Sequence, residues 1–232
     1  MHAPRKGCWM SAFTESAGRS SSRWLVLAVM SVSVYLVAVT NTTVNVALPS
    51  LAREFSASNS TLQWVIDGYI LIFASLLLLG GTIGDRFGRR RALGVGMAIF
   101  ALGSVGAALS SHADALTLIF MRGVQGAGAA LVMPPTLSIL TAVFERAERA
   151  KAIGIWTGVS GMGFMTGPLL GGFLATHVDW TAIFWVAMVI ALISLVGLLF
   201  VPESKDSRKI RLDVPGAALA TAGMLALVYG II

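Results

Sequence analysis

Long apolar segments, separated by short polar breaks, constrain this chain more than any other feature. A helix needs about 20 mostly apolar residues to cross a bilayer core of about 30 Å. Six complete segments of that kind, and a seventh that runs to the last residue, lie at residues 24–48, 61–84, 92–110, 116–144, 152–176, 182–201 and 214–232. Because only 12% of the residues are charged and 56% are hydrophobic, the composition is that of a membrane protein. The sequence therefore predicts an all-α bundle of transmembrane helices.

The basic residues indicate how these segments are oriented. All 17 Lys and Arg residues except Arg53 and Arg122 lie in the first 23 residues or in alternate loops. Loops rich in Lys and Arg face the cytoplasm, so we expect a cytoplasmic amino terminus in an inner or plasma membrane. The expected units are a tail (1–23), a six-helix transmembrane bundle (24–201), a cytoplasmic loop (202–213) and a truncated seventh helix (214–232). The net charge of +6 then reflects topology, and no nucleic-acid partner is expected.

Several function classes find no support in the sequence. Cys8 is the only cysteine, which excludes an internal disulfide framework. His2, His112 and His177 lack metal-ligand spacing, and no phosphate-binding glycine loop followed by Lys is present. No nucleophile–base pair lies among the apolar segments. We therefore expect no enzyme activity, no cofactor and no metal.

The most charged stretch, residues 81–93, lies between the second and third segments. Asp85 is placed there to accept charge-assisted hydrogen bonds from arginines, although an arginine cluster is also typical of a plain positive-inside anchor. The pattern G-x-I-G-D-R-x-G-R-R-x-x-L resembles the signature loop between helices 2 and 3 of the major facilitator superfamily of transporters. The resemblance implies a conformational gate that latches and releases the cytoplasmic side. The residues on pattern are Gly81, Gly84, Asp85, Arg86, Gly88, Arg89 and Arg90.

Arg122 lies inside the fourth segment, where a charge costs roughly 2.5–3.5 kcal/mol on insertion scales. Such a charge normally faces a cavity or a partner; an arginine bonded to backbone carbonyls for packing alone is the alternative. Gln125, Gly126 and Ala129 share its helix face. The pattern R-x-x-Q-G-x-G-A-A resembles the fourth-helix motif of the same superfamily, which implies that Arg122 takes part in proton coupling.

The fifth segment carries glycines at every fourth position, which form a smooth strip for close helix packing. Plain packing is a sufficient reading of such a strip. The longer pattern G-x-x-x-G-P-x-x-G-G resembles the fifth-helix signature of the exporting, antiporter branch of the superfamily. The helix-packing residues are Gly163, Gly167, Pro168, Gly171 and Gly172.

Asp67 is the only acid well inside a span, about 10 Å from its outer end and at a depth similar to that of Arg122. It could pair with Arg122, or share its cavity, and change protonation as access alternates; alternatively, it only shapes a watery outer vestibule. Residues 43–49 and 64–69 resemble the beginning of the fourteen-helix drug:proton antiporter family. The substrate-cavity candidates are Asn41, Asn45, Gln63, Trp64 and Gln125.

Together these observations predict a six-helix half-bundle of the major facilitator superfamily, built from two inverted three-helix repeats, plus a truncated seventh helix. The resemblance implies export of drugs or antibiotics by proton antiport. The expected partners are the lipid bilayer, a small amphipathic substrate, protons and a missing carboxy-terminal half. The alternatives are an uptake permease for a small metabolite and a non-transporting subunit that docks to a partner through the glycine strip.

Overall fold

A computed structural model describes residues 7–204 and seven helical positions between residues 215 and 230. Within residues 7–204 the chain forms six α-helices and two short 3₁₀ turns, with only short connections between them. The helices are α1 (Gly7–Glu54), α2 (Asn59–Phe87), α3 (Arg89–Leu109), α4 (Ala115–Val143), α5 (Arg146–His177) and α6 (Ala182–Gly197), and the turns are Ser110–His112 and Leu198–Phe200. The structure thus confirms the all-α fold class.

The six complete apolar segments coincide with the six helices, with two differences. Helix α1 begins at Gly7, so the stretch expected to be a tail is helical from that residue on. Among the described residues, five helical stretches are long and apolar enough to cross a membrane, namely Arg23–Glu54, Asn59–Phe87, Arg89–His112, Ala115–Val143 and Ala182–Phe200. Helix α5 is also long, at 32 residues, but its sequence is interrupted by many glycines and begins with charged residues. Residues 1–6, the loop at 205–213 and most of the predicted seventh span lie outside the described residues.

Local chemistry explains where the helices begin and end. The Ser58 hydroxyl caps α2 by accepting a hydrogen bond from the Thr61 amide, and Asp114 caps α4 by accepting from the Thr117 amide at 2.7 Å. Hydrogen bonds from the hydroxyl and the amide of Thr117 lower the pKa of Asp114, because they stabilise the charged form of this cap. Helices α2 and α3 are separated by Gly88 alone, whose φ of 113° lies in a region that disfavours side chains.

Helix α4 packs closely against both α2 and α3 because glycines remove side-chain bulk at the crossing points. A Cβ atom on Gly128 of α4 would lie 2.7 Å from the carbonyl oxygen of Gly96 in α3. A Cβ atom on Gly126 would collide with the Tyr69 carbonyl of α2, and one on Gly80 with the Ala130 carbonyl of α4. Helix α6 packs on α3 and α1 and completes the bundle.

Helix α5 packs mainly on α1 through the glycine strip that the sequence singled out. A Cβ atom on Gly163 would lie 2.8 Å from Ala38 Cβ and 3.0 Å from the Tyr35 carbonyl. Gly167 and Gly171 face Thr42 and Thr43 of α1 in the same way. Pro168 is exposed, and Gly172 would make only ordinary contact with Val46, at 3.5 Å. The strip is therefore occupied by α1, which removes the surface that the docking-subunit hypothesis requires.

Gly163 is packed against α1 and Gly158 is not, so substitutions of these two glycines are expected to differ in their effect on stability. We expect Gly163→Ala to destabilise the protein by about 1–3 kcal/mol, because the added methyl group overpacks the α1 contact. Gly158→Ala is the matched control, since no atom lies within 4 Å of a Cβ added there and the gain in helix propensity is the same. Thermal unfolding of the detergent-solubilised chain measures the difference; equal shifts for the two variants would contradict the packing described here.

Candidate functional site

The guanidinium of Arg122 is fully buried on α4 and is held by groups from α2 and α4. Its Nε donates a hydrogen bond to the Val65 carbonyl at 3.1 Å, and its Nη1 donates to Oε1 of Gln125 at 2.9 Å. The ring of Tyr69 lies 4.3 Å from the guanidinium carbon, measured to the ring centroid, which is a cation–π distance. These contacts offset much of the cost of placing a charge within the bundle.

Gln125 extends this arrangement to α3. Its Nε2 donates a hydrogen bond to Ser104 Oγ at 2.8 Å, and Ser104 in turn donates to the Phe100 carbonyl at 2.8 Å. Gly103 makes room for the Gln125 side chain, because a Cβ atom there would lie 2.9 Å from its Cγ. Ser104 and Gln125 are both fully buried. The sequence analysis placed Gln125 in the substrate cavity. In this conformation both ends of its amide are used inside the network, so its role in a substrate cavity stays a prediction. We call Tyr69, Ser104, Arg122 and Gln125 the buried arginine network.

Asp67 lies outside the buried arginine network. Val65 and Tyr69 contact Arg122 from one side of α2. Successive helix residues rotate by about 100°, so Asp67, midway between these two in sequence, projects from the opposite side of the helix. Its side chain is half-buried. The similar depths of the two charges therefore do not bring them into contact in this conformation, and the proton-coupling role of Asp67 stays a prediction.

The other cavity candidates lie on accessible surfaces of α1 and α2. Asn45 and Gln63 are exposed, and Asn41 and Trp64 are half-buried. Asn41 and Asn45 are one turn apart on the same face of α1. These four side chains present amide and aromatic groups outside the packed core, and their role in a substrate cavity stays a prediction.

The charged stretch at the junction of α2 and α3 contains a compact ion pair between Asp85 and Arg89, which we call the latch. Oδ1 of Asp85 lies 2.9 Å from both Nε and Nη2 of Arg89, and Nη1 of Arg89 donates to the Ser138 carbonyl of α4 at 3.4 Å. The end of α2, the start of α3 and helix α4 are thereby joined. Gly84 allows close contact with Pro135 of α4, at 3.1 Å from a Cβ atom placed on it.

The other residues of the predicted conformational gate lie around this latch. Gly81 packs on Pro134 of α4 at ordinary contact distance. Arg86 lies at the surface, 5.2 Å from the ring centroid of Phe87, and Arg90 is half-buried at the first turn of α3. The sequence motif thus combines a part that contacts α4 with an exposed Arg86 and a half-buried Arg90.

Glu203 joins this end of the bundle to α6, and sequence reasoning missed it. Its Oε1 accepts hydrogen bonds from the Arg90 and Ser204 amides, both at 3.1 Å, and the Arg89 amide donates to the Ser204 carbonyl at 2.8 Å. A carboxylate at the start of α3 is also favoured by the helix dipole. The available signal was an acid directly after the sixth apolar segment, at the beginning of a loop that is rich in Lys and Arg.

A second contact at the same end, between α1 and α5, was also missed. Arg23 Nη1 lies 2.7 Å from Oε2 of Glu148, and the Lys151 ammonium lies 5.3 Å from a ring centroid of Trp24. Trp24 packs edge-on against Phe144. The described residues contain no group of three His, Cys, Asp or Glu side chains that could hold a metal ion.

Comparison with known proteins identifies the family of this chain. The family model described as "Major Facilitator Superfamily" matches residues 30–230. This chain belongs to the Major Facilitator Superfamily. It is therefore a multi-pass membrane protein of a transporter family and not an enzyme. The solved structure of the proton:xylose symporter XylE matches 89% of this chain and 50% of its own with a TM-score of 0.69 at 19% identity, a likeness of fold.

Several curated relatives of the chain are resistance or efflux proteins. The puromycin resistance protein pur8 of Streptomyces alboniger is 41% identical over 216 residues, which cover 91% of this chain and 42% of that protein. The tetracenomycin C resistance and export protein of Streptomyces glaucescens is 36% identical, over 95% of this chain and 41% of that protein. The multidrug efflux pump LfrA of Mycolicibacterium smegmatis is 39% identical, over 94% of this chain and 44% of that protein. The chain spans less than half the length of these relatives.

The buried arginine network predicts that substitutions of two glutamines differ in their effect on the stability of the protein. We expect Gln125→Met to destabilise the protein by about 1–3 kcal/mol, because Nη1 of Arg122 and the Ser104 hydroxyl each lose a buried partner. Gln63→Met is the matched control, since Gln63 is exposed and the same change there leaves the network intact. The measurement is thermal unfolding in detergent. A Gln125→Met variant as stable as the Gln63→Met variant would contradict the network.

Proposed function

We propose that this chain forms the amino-terminal half-bundle of a secondary exporter of drugs or antibiotics that works by proton antiport. The observation that carries the proposal is the similarity to three resistance or efflux proteins at 36–41% identity. The motif resemblances extend the assignment to the fourteen-helix drug:proton antiporter family. A carboxy-terminal half would complete the transporter, because a substrate site between two half-bundles has only one wall here. The Lys and Arg distribution supports an inner or plasma membrane location with a cytoplasmic amino terminus.

Alternating access would proceed by rocking of the whole half-bundle. The glycine contacts of α4 with α2 and α3 leave no space for these helices to slide separately, so they are expected to move as one body. The latch of Asp85 and Arg89 lies at one end of that body and ties its α2–α3 connection to α4. Its release would change the shape of the arginine-rich end, which is where a gate between two halves has to act.

Proton coupling would involve Asp67 and Arg122 through α2 and not through direct contact. Arg122 binds the Val65 carbonyl and the Tyr69 ring, which bracket Asp67 in the same helical turn. Protonation of Asp67 removes a charge from the accessible side of α2 while the arginine holds the other side. The position of α2 relative to a second half-bundle would therefore depend on the charge of Asp67.

The substrates would be small amphipathic molecules. The accessible side chains of Asn41, Asn45, Gln63 and Trp64 offer hydrogen bonds and an aromatic surface without a formal charge, which suits polar but largely apolar compounds. Puromycin and lincomycin, for which two relatives at 41% and 35% identity are named as resistance proteins, are reasonable first probes.

Uptake of a metabolite is the alternative, and one observation favours it. The riboflavin transporter RibZ of Clostridioides difficile is 33% identical over 199 residues. The direction of flux separates the two functions. We expect cells that express the intact gene to accumulate less puromycin or lincomycin, and collapse of the pH gradient to restore accumulation. Increased accumulation of a metabolite with unchanged antibiotic levels would establish uptake instead.

The latch predicts that removing the charge of Asp85 lowers the export rate without preventing insertion into the membrane. Asp85→Asn removes the charge that holds Arg89, so we expect normal amounts in the membrane and a severalfold lower export rate. Glu145→Gln is the control, because Glu145 is an exposed acid that makes no capping hydrogen bond at the start of α5. Initial rates of antibiotic efflux from loaded cells provide the measurement. Wild-type rates for Asp85→Asn would remove the gate role.

Asp67 provides the test of proton coupling. We expect Asp67→Asn to abolish export driven by a pH gradient while ligand binding is retained, because an amide cannot release a proton. Asp114→Asn is the matched control: it makes the same change at the cap of α4, where Asn is also an effective capping residue. Proteoliposomes with an imposed pH gradient, together with equilibrium binding of the same antibiotic, separate the two effects. Coupled export by Asp67→Asn would contradict the assignment.

A further inference from the structure

An open groove runs between α3 and α6 at the arginine-rich end of the bundle, apart from the buried arginine network and the cavity candidates. Its volume is about 780 Å³. Gly94, Val95 and Ala98 of α3 form one wall, and Leu195 and Leu199 on the α6 side form the other. The walls are apolar, and Val95 and Leu199 are exposed. The groove is therefore shaped for a slender apolar group.

Two arginines stand at the mouth of this groove. Arg90 and Arg91 both line it, together with the carboxylate of Glu203. The side chain of Arg91 is 79% exposed, and its Nε lies 3.7 Å from Oε2 of Glu203, too far for a close hydrogen-bonded pair. Oε1 of Glu203 is already bonded to the Arg90 and Ser204 amides. Two guanidinium groups against one carboxylate leave the mouth with a net positive charge.

The groove lies at the level where the membrane-spanning parts of its two helices end. The candidate span of α3 starts at Arg89, and that of α6 ends at Phe200, so the arginines stand at the boundary and the apolar walls extend into the span. A charged mouth above an apolar channel matches the division of a phospholipid into headgroup and acyl chain. Basic pockets between membrane helices are typical sites for anionic headgroups.

We propose that this groove binds one anionic phospholipid. Arg90 and Arg91 would contact the headgroup phosphate, for which the planar guanidinium is well suited, and an acyl chain would lie along Gly94 between α3 and α6. The net positive charge of the mouth selects an anionic lipid over a zwitterionic one. Bound there, the lipid would bridge the start of α3 and the end of α6, which Glu203 already links.

The charge at the mouth is tested with Arg91→Gln. Purified protein is incubated with equal amounts of phosphatidylglycerol and phosphatidylcholine, and native mass spectrometry counts the lipids retained. We expect the wild type to retain phosphatidylglycerol preferentially and Arg91→Gln to lower that preference about fivefold, the effect of one arginine near an anionic surface. Arg146→Gln removes an exposed arginine from α5, away from the groove, and is expected to leave the preference unchanged.

The apolar wall is tested with Gly94→Leu, which keeps every charge. A Cβ atom at Gly94 meets only Leu198 Cδ1, at 3.5 Å, so the Cβ position is free of backbone atoms and the larger side chain is expected to extend into the groove. We expect phosphatidylglycerol retention to fall while the elution volume and melting temperature stay as in the wild type. Ala98→Phe, at an exposed position of the same wall, is used if the leucine variant does not fold.

Three results would overturn the proposal. The first is equal retention of phosphatidylglycerol and phosphatidylcholine by the wild type, and the second is the same preference in Arg91→Gln. The third is competition by glycerol phosphate at the concentration at which the lipid binds, since that would show a site for a free phosphate that needs no acyl chain.

Discussion

The buried guanidinium of Arg122 depends on hydrogen-bond acceptors inside the bundle. Helices α2 and α4 supply them for Nε and Nη1, whereas Nη2 has no hydrogen-bond partner among the described residues. Arg122 uses a backbone carbonyl of α2 and the Gln125 amide, and Gln125 in turn reaches Ser104 of α3. These distances of about 3 Å are possible only because Gly103 and Gly126 let the backbones come close. The buried charge therefore depends on the glycines, because they bring the acceptors within hydrogen-bonding distance. The hydrogen bonds in turn offset the cost of burying the charge.

Helix α5 carries glycines on two faces, and only one of these faces is packed against another helix. Gly163, Gly167 and Gly171 are filled by α1, whereas Gly154, Gly158 and Gly161 have no atoms within 4 Å of an added Cβ. A second smooth face on a helix suits the close approach of another helix. Because the chain spans less than half the length of its curated relatives, a carboxy-terminal half is the natural candidate for that position under the function proposed above.

Contacts between charged residues tie the helices together at the arginine-rich end. Three links, made from charges that are close in space, tie the helices there: Asp85 with Arg89 joins α2, α3 and α4, Glu203 joins α3 to the end of α6, and Glu148 with Arg23 joins α1 to α5. Each link is partly exposed and individually weak. Such contacts can break and reform at modest cost, which suits an end of the bundle that changes shape under the function proposed above.

The sequence by itself determined the number and positions of the six helices, the clustering of charge at alternate loops and the family motifs, because apolar length, charge and turn residues are local properties. It also identified Arg122 as a buried charge. Only the tertiary structure decided which groups surround that charge, since Val65 is 57 residues away, and which carboxylate reaches the start of α3, since Glu203 is 113 residues from Arg90. It likewise placed Asp67 on the far side of α2, Gln125 inside the core and α1 on the glycine strip. Depth along a helix can be counted from sequence, but the direction in which a side chain meets its neighbours depends on how the helices rotate against one another, and that rotation is settled by contacts between distant residues.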